Sequence, residues 1–136
     1  MKRSLWLVMA LLVLVLAACG GTSSEAVAVD PTTLGNEVDV KTVNAVKDMD
    51  GVLVIDVREQ WEYGEGHIPG VTLIPKNEIP NRLSELPTDQ EIVVTCRSGN
   101  RSGQVADFLR QQGFDNIHNM TGGIIAWENA GLPVER

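Results

Sequence analysis

A cysteine set among arginines, in the run Cys96-Arg97-Ser98-Gly99-Asn100-Arg101-Ser102, is where this chain concentrates residues able to do chemistry. A thiolate is a strong nucleophile, and nearby cations and N–H donors lower the thiol pKa that limits its supply. Cysteine after a strand is more often a small buried hydrophobe. Two arginines, a serine and a glycine around it suit an exposed anion cradle better than a dry core. The flanking sequence supplies the frame. Ile92, Val93 and Val94 form an apolar run that stops at Cys96, and Val105, Ala106, Phe108 and Leu109 then mark one face of a helix ending at Gly113. The pattern predicts strand, tight loop and helix, in which the free N–H groups of the loop and first helical turn converge where the strand ends.

CRSGNRS resembles the active-site loop of the rhodanese family of sulfurtransferases, and three further stretches match family motifs in order: DVRE at Asp56 to Glu59, EYGEGHIPG at Glu62 to Gly70, and TGGIIAWENAGLPV at Thr121 to Val134. The resemblance spans roughly Asp39 to Val134. Where many members read Ala-x-Asn after the HIPG stretch, this chain has Val71, Thr72 and Leu73, away from the cysteine. The resemblance implies a three-layer α/β domain whose mostly parallel sheet is flanked by helices. It implies Cys96 as the catalytic nucleophile that carries a persulfide, with Arg97, Ser98, Gly99, Asn100, Arg101 and Ser102 as the substrate-binding loop. Asp56, Arg58 and His67 are implied as structural supports. The implied partners are a small-molecule sulfur donor such as thiosulfate and a nucleophilic acceptor such as cyanide or a thiol, with no cofactor and no metal.

The residues themselves give the same architecture. Asp39 is a candidate N-cap for a helix whose inner face is Val40, Val43 and Val46, and Val52 to Asp56 is a continuous apolar run of the kind buried on both faces of a parallel sheet. Val71 to Ile74 reads as a short strand. Ile79, Leu83 and Leu86 mark a short helix closed by Pro87, Asn116 to Met120 a weak strand, and Ile124 and Trp127 the inward face of a last helix stopped by Gly131 and Pro133. Strands alternating with helices predict one domain, with ligands bound outside the carboxyl ends of the strands, where Asp56 and Cys96 fall.

Residues 1–18 read as a lipoprotein signal peptide, because Lys2 and Arg3 precede an apolar segment from Leu5 to Ala18. The segment is shorter than the roughly 20 apolar residues of a spanning helix. Leu16-Ala17-Ala18-Cys19 resembles the bacterial lipobox, which implies cleavage before Cys19 and lipidation of its thiol; a retained anchor or an unmodified Cys19 are the competing readings. Residues 19–33 then form the lipidated cysteine and a tether without periodicity, and residues 34–136 the domain. The expected location is the cell envelope, anchored to membrane and facing the periplasm or the exterior.

The whole chain carries a net charge of −7, and loss of Lys2 and Arg3 leaves 9 basic side chains against 18 acidic ones. No basic run offers a nucleic acid a phosphate-binding face. His67, in a Gly-His-Ile-Pro-Gly turn, suits satisfaction of loop backbone groups better than general-base work, and His118 has no chemical company. Trp127 reads as core, and Trp61 as packing in a loop before a turn. Two other functions stay open: a sulfur carrier or docking module for an envelope protein, and, less favoured, a cysteine phosphatase or arsenate reductase. The latter would need five residues between cysteine and arginine, where position 102 is Ser.

Overall fold

A computed structural model describes residues 28–136. Its centre is a five-stranded, fully parallel sheet in the order β1-β5-β4-β2-β3, formed by β1 (Glu37–Val38), β2 (Val52–Asp56), β3 (Thr72–Leu73), β4 (Glu91–Thr95) and β5 (Ile117–Met120). β4 is the middle strand. It runs in register with β2 from Val52 opposite Glu91 to Asp56 opposite Thr95, and pairs β5 on its other edge. With neighbours on both sides and helices on both faces, such a strand has to be apolar throughout, which accounts for the unbroken run of Ile92, Val93 and Val94.

Adjacent residues of the central strands point to opposite layers. Ile55, Ile92 and Val94 pack with Val105, Ala106 and Leu109 of α3 (Asn100–Gln111), while Val54 and Val93 pack with Val40 and Val43 of α1 (Val40–Val46) and Ile124 and Trp127 of α4 (Gly123–Asn129). The three-layer arrangement expected from the sequence is therefore observed. Asp39 caps α1 as expected, its carboxylate accepting the Thr42 N–H at 2.8 Å.

Four local readings need correction. Trp61 lies on a helix, α2 (Gln60–Glu65), and not in a loop. Ile79, Leu83 and Leu86 do not share one helix: two 3-10 segments, Lys76–Asn81 and Leu83–Glu85, cover this stretch, and Pro80, which has no N–H to donate, lies inside the first. The strand expected from Val71 to Ile74 pairs only at Thr72–Leu73. An edge strand at Glu37–Val38, unforeseen, pairs with Asn119 and Met120 of β5. The signal segment and Cys19 lie outside the described residues.

Candidate active site

Cys96 follows the last residue of β4, and the chain turns through Arg97, Ser98 and Gly99 into α3. Gly99 takes φ +93° as the N-cap, and a Cβ there would come within 2.9 Å of the Gly122 amide nitrogen. Only glycine meets both demands. The turn aims donors at sulfur: Cys96 Sγ accepts the Gly99 N–H at 3.1 Å and the Ser102 hydroxyl at 3.3 Å. Burial of the cysteine, 1% exposed, opposes ionisation, yet the Ser102 hydroxyl together with the backbone N–H groups of Ser102, Ser98 and Gly99 holds the thiol pKa below its ordinary value.

The back of the loop is fixed by α4. Its Ile124 N–H donates to the Cys96 carbonyl at 2.9 Å and its Ile125 N–H to the Arg97 carbonyl at 3.2 Å. Those peptide planes are thus held by their oxygens, on the side away from sulfur. The approach is close enough that a Cβ on Gly123, itself at φ +58°, would lie 2.4 Å from the Arg97 carbonyl carbon and 2.5 Å from the Cys96 oxygen. The glycine pair of the Thr121-Gly122-Gly123 stretch is therefore part of the active-site wall.

Asp56 and Arg58 lie beside the loop but not on the sulfur. The buried Arg58 guanidinium binds the Asp56 carboxylate through Nε and Nη2 at 2.9 and 2.7 Å, and donates onward to the carbonyls of Glu62 and Gly66 at 3.2 and 2.8 Å. That network clamps α2 to the end of β2. His67 stacks on Tyr63 with ring centroids 3.8 Å apart, its Nδ1 lies 3.1 Å from the Tyr63 carbonyl and its Nε2 3.3 Å from Glu135. Those contacts belong to the turn and the C-terminal segment.

Arg101 departs from its expected use. Its guanidinium makes a two-pronged pair with Glu62, 2.7 Å on each arm, and this pairing, with the bond to the Glu59 N–H, draws the Glu62 carboxyl down to about 2. The cation expected to serve thiolate and donor alike is largely engaged by a carboxylate of the EYGEGHIPG stretch, to which the sequence alone assigns no role. Glu59 with Glu62 three residues later resembles a capping box, the signal that could have placed this helix and its carboxylate. Arg97, Ser98 and Asn100 are exposed around the mouth, while Ser102 is fully buried beneath the sulfur. Over the loop, between α2 and α4, lies an open cavity of about 680 Å³ with Arg97, Arg101 and Ile124 among its walls.

The rhodanese-like domain model matches residues 39–130, the stretch that holds the cysteine at the end of the central parallel strand, its donor loop and the Gly-Gly start of α4. The chain belongs to the rhodanese-like domain family. This rhodanese-like domain is 42% identical over 100 residues to a sulfurtransferase of Allochromatium vinosum, an alignment covering 73% of this chain and 94% of that protein. It is 36% identical over 83 residues to the thiosulfate sulfurtransferase GlpE of Pseudoalteromonas translucida, covering 61% of this chain and 79% of the other. The crystal structure of a rhodanese-related protein from Thermoplasma volcanium superposes with a TM-score of 0.67 at 32% identity, covering 74% of this chain and 98% of that one.

Proposed function

We propose that this rhodanese-like domain moves sulfane sulfur through a persulfide on Cys96. The thiolate attacks the outer sulfur of a donor such as thiosulfate, the sulfur–sulfur bond of the donor breaks, and sulfite leaves with the bonding pair. A second nucleophile, cyanide or a thiol, then attacks the outer sulfur of the persulfide, and Cys96 departs as thiolate. The observation that carries this reading is the set of donors converging on Sγ, from the Ser102 hydroxyl and the loop amides, since the same donors stabilise the thiolate before attack and after release. The two-step scheme names no second residue as base, because the donors that hold the thiol pKa below its ordinary value favour the thiolate. Relatives named as sulfurtransferases support the reaction class.

We further propose that the chain acts at a membrane surface, tethered through lipid on Cys19, on the strength of the Leu16-Ala17-Ala18-Cys19 motif. Anchoring and chemistry then reside on different cysteines.

The decisive experiment is intact mass of the full chain after incubation with thiosulfate. A gain of one sulfur atom, removed by cyanide with release of thiocyanate and absent in Cys96→Ser, is the expected result. A Cys96→Ser variant that still produces thiocyanate would refute the mechanism.

A further inference from the structure

Charge does not cancel around the cavity beside Cys96. Of the three arginines in its wall, Arg58 is bound to Asp56 and Arg101 to Glu62. That leaves Arg97 and, in the same wall, Glu59, Glu65 and Glu128, so among the described residues three carboxylates stand against one cation. Among the described residues, the ion pair of Glu128 is a long contact to Arg136, 3.8 Å between two exposed side chains, which water and salt screen. Away from the sulfur, such a rim attracts a positively charged visitor.

Two large apolar side chains in the same wall are exposed. Trp61 on α2 is 66% exposed and Ile125 on α4 is 40% exposed. Cyanide or thiosulfate has no apolar surface to place on them. The cavity is also of the size that takes part of a peptide or a drug-sized molecule, far larger than a group of a few atoms requires. Aromatic and aliphatic anchors with a charged rim are the ordinary composition of a surface that receives a protein.

We infer that the acceptor thiol is a cysteine on a positively charged segment of a partner protein, which seats an apolar side chain against Trp61 and Ile125 and lysine or arginine side chains against Glu59, Glu65 and Glu128. This rests on the persulfide reading of the site. In the transfer step the partner's thiolate attacks the outer sulfur on Cys96, the sulfur–sulfur bond breaks, and Cys96 leaves as thiolate. The partner's cysteine becomes the persulfide, with no net oxidant or reductant consumed.

The test loads the full chain with sulfur from thiosulfate or inorganic polysulfide, verifies the gain by mass, and measures transfer to three synthetic peptides. Each has one cysteine beside a leucine, flanked by lysines, serines or glutamates. Cationic flanks also make the peptide thiol more acidic, so each rate is divided by that peptide's rate with a small-molecule persulfide. The lysine peptide should then react about tenfold faster than the glutamate peptide at low ionic strength, with the ratio shrinking as salt is added. In a Glu65→Gln, Glu128→Gln double variant the ratio should contract towards one. Trp61→Ala should slow transfer to the leucine-bearing lysine peptide about fivefold, and slow a version with glycine in place of leucine less. A loaded chain with no charge preference, a preference for the glutamate peptide, or a preference that survives the double variant would overturn the inference alone. A chain that gains no sulfur from either donor overturns the persulfide reading and this inference with it.

Discussion

Replacing Ser102 with alanine isolates one donor to the cysteine. The hydroxyl donates to Sγ at 3.3 Å and the side chain is fully buried, so no water takes its place when it is removed. A hydrogen bond to an ionised partner contributes about 1.5–3 kcal/mol. At a fixed pH below the thiol's midpoint, losing that much stabilisation of the anion reduces the thiolate population by about tenfold to a hundredfold. The assay is the rate of Cys96 alkylation by iodoacetamide as a function of pH, in a chain carrying Cys19→Ala so that one thiol reports. Because the wild-type thiol pKa is lowered and the variant lacks a lowering contact, its reactivity should rise at higher pH, with the high-pH plateau nearly unchanged. Sulfur loading near neutral pH should slow in parallel. An alkylation profile that coincides with the wild type would show that the loop amides alone hold the thiolate and refute the role given to the hydroxyl.

Gly123→Ala should destabilise the domain by about 2–3 kcal/mol, seen as a lowered Tm, because its Cβ meets the Arg97 backbone at 2.4 Å in a left-handed conformation; unchanged Tm and loading would contradict the bracing of the loop by α4. Glu62, whose folded pKa is depressed to about 2, contributes stability that is complete above the ordinary carboxyl value of about 4.3 and is lost as pH falls from there towards about 2. Acid unfolding of Glu62→Gln should accordingly be flatter across that window than wild type, with lower stability at neutral pH, as followed by circular dichroism. Cys19→Ala should leave sulfur transfer intact and move the protein from the membrane pellet to the supernatant, and retention through a high-salt wash would contradict the lipid anchor.

The sequence made the layout legible where a residue's role depends on near neighbours along the chain. The apolar runs at Val52 to Asp56 and Ile92 to Thr95 are central strands because they are covered on both faces, and Asp39 declares its helix through a bond three residues away. Roles created by distant pairing were not legible. Arg101 and Glu62 are 39 residues apart, and nothing in either segment shows that the loop's arginine is held by a carboxylate. α2 is short and runs straight into the Gly66-to-Gly70 turn, so its residues read as a loop, and the Arg58 guanidinium that ties it down through the Glu62 and Gly66 carbonyls shows no pattern along the chain. The two-residue strand at Glu37–Val38 is too short to show a period.

The dependence of the loop on Gly123, Ile124 and Ile125 gives the protein an order of events. Synthesis runs from the amino terminus, so the nucleophile is made well before the residues that hold its carbonyls and close its wall. A nascent chain ending before α4 has the cysteine, Gly99 and Ser102 but lacks the helix N–H groups that hold the Cys96 and Arg97 carbonyls. That bracing comes with docking of the last helix onto the sheet, where Trp127 is buried and its Nε1 donates to the Pro133 carbonyl. The wall behind the nucleophile is thus completed by the last helix to be made.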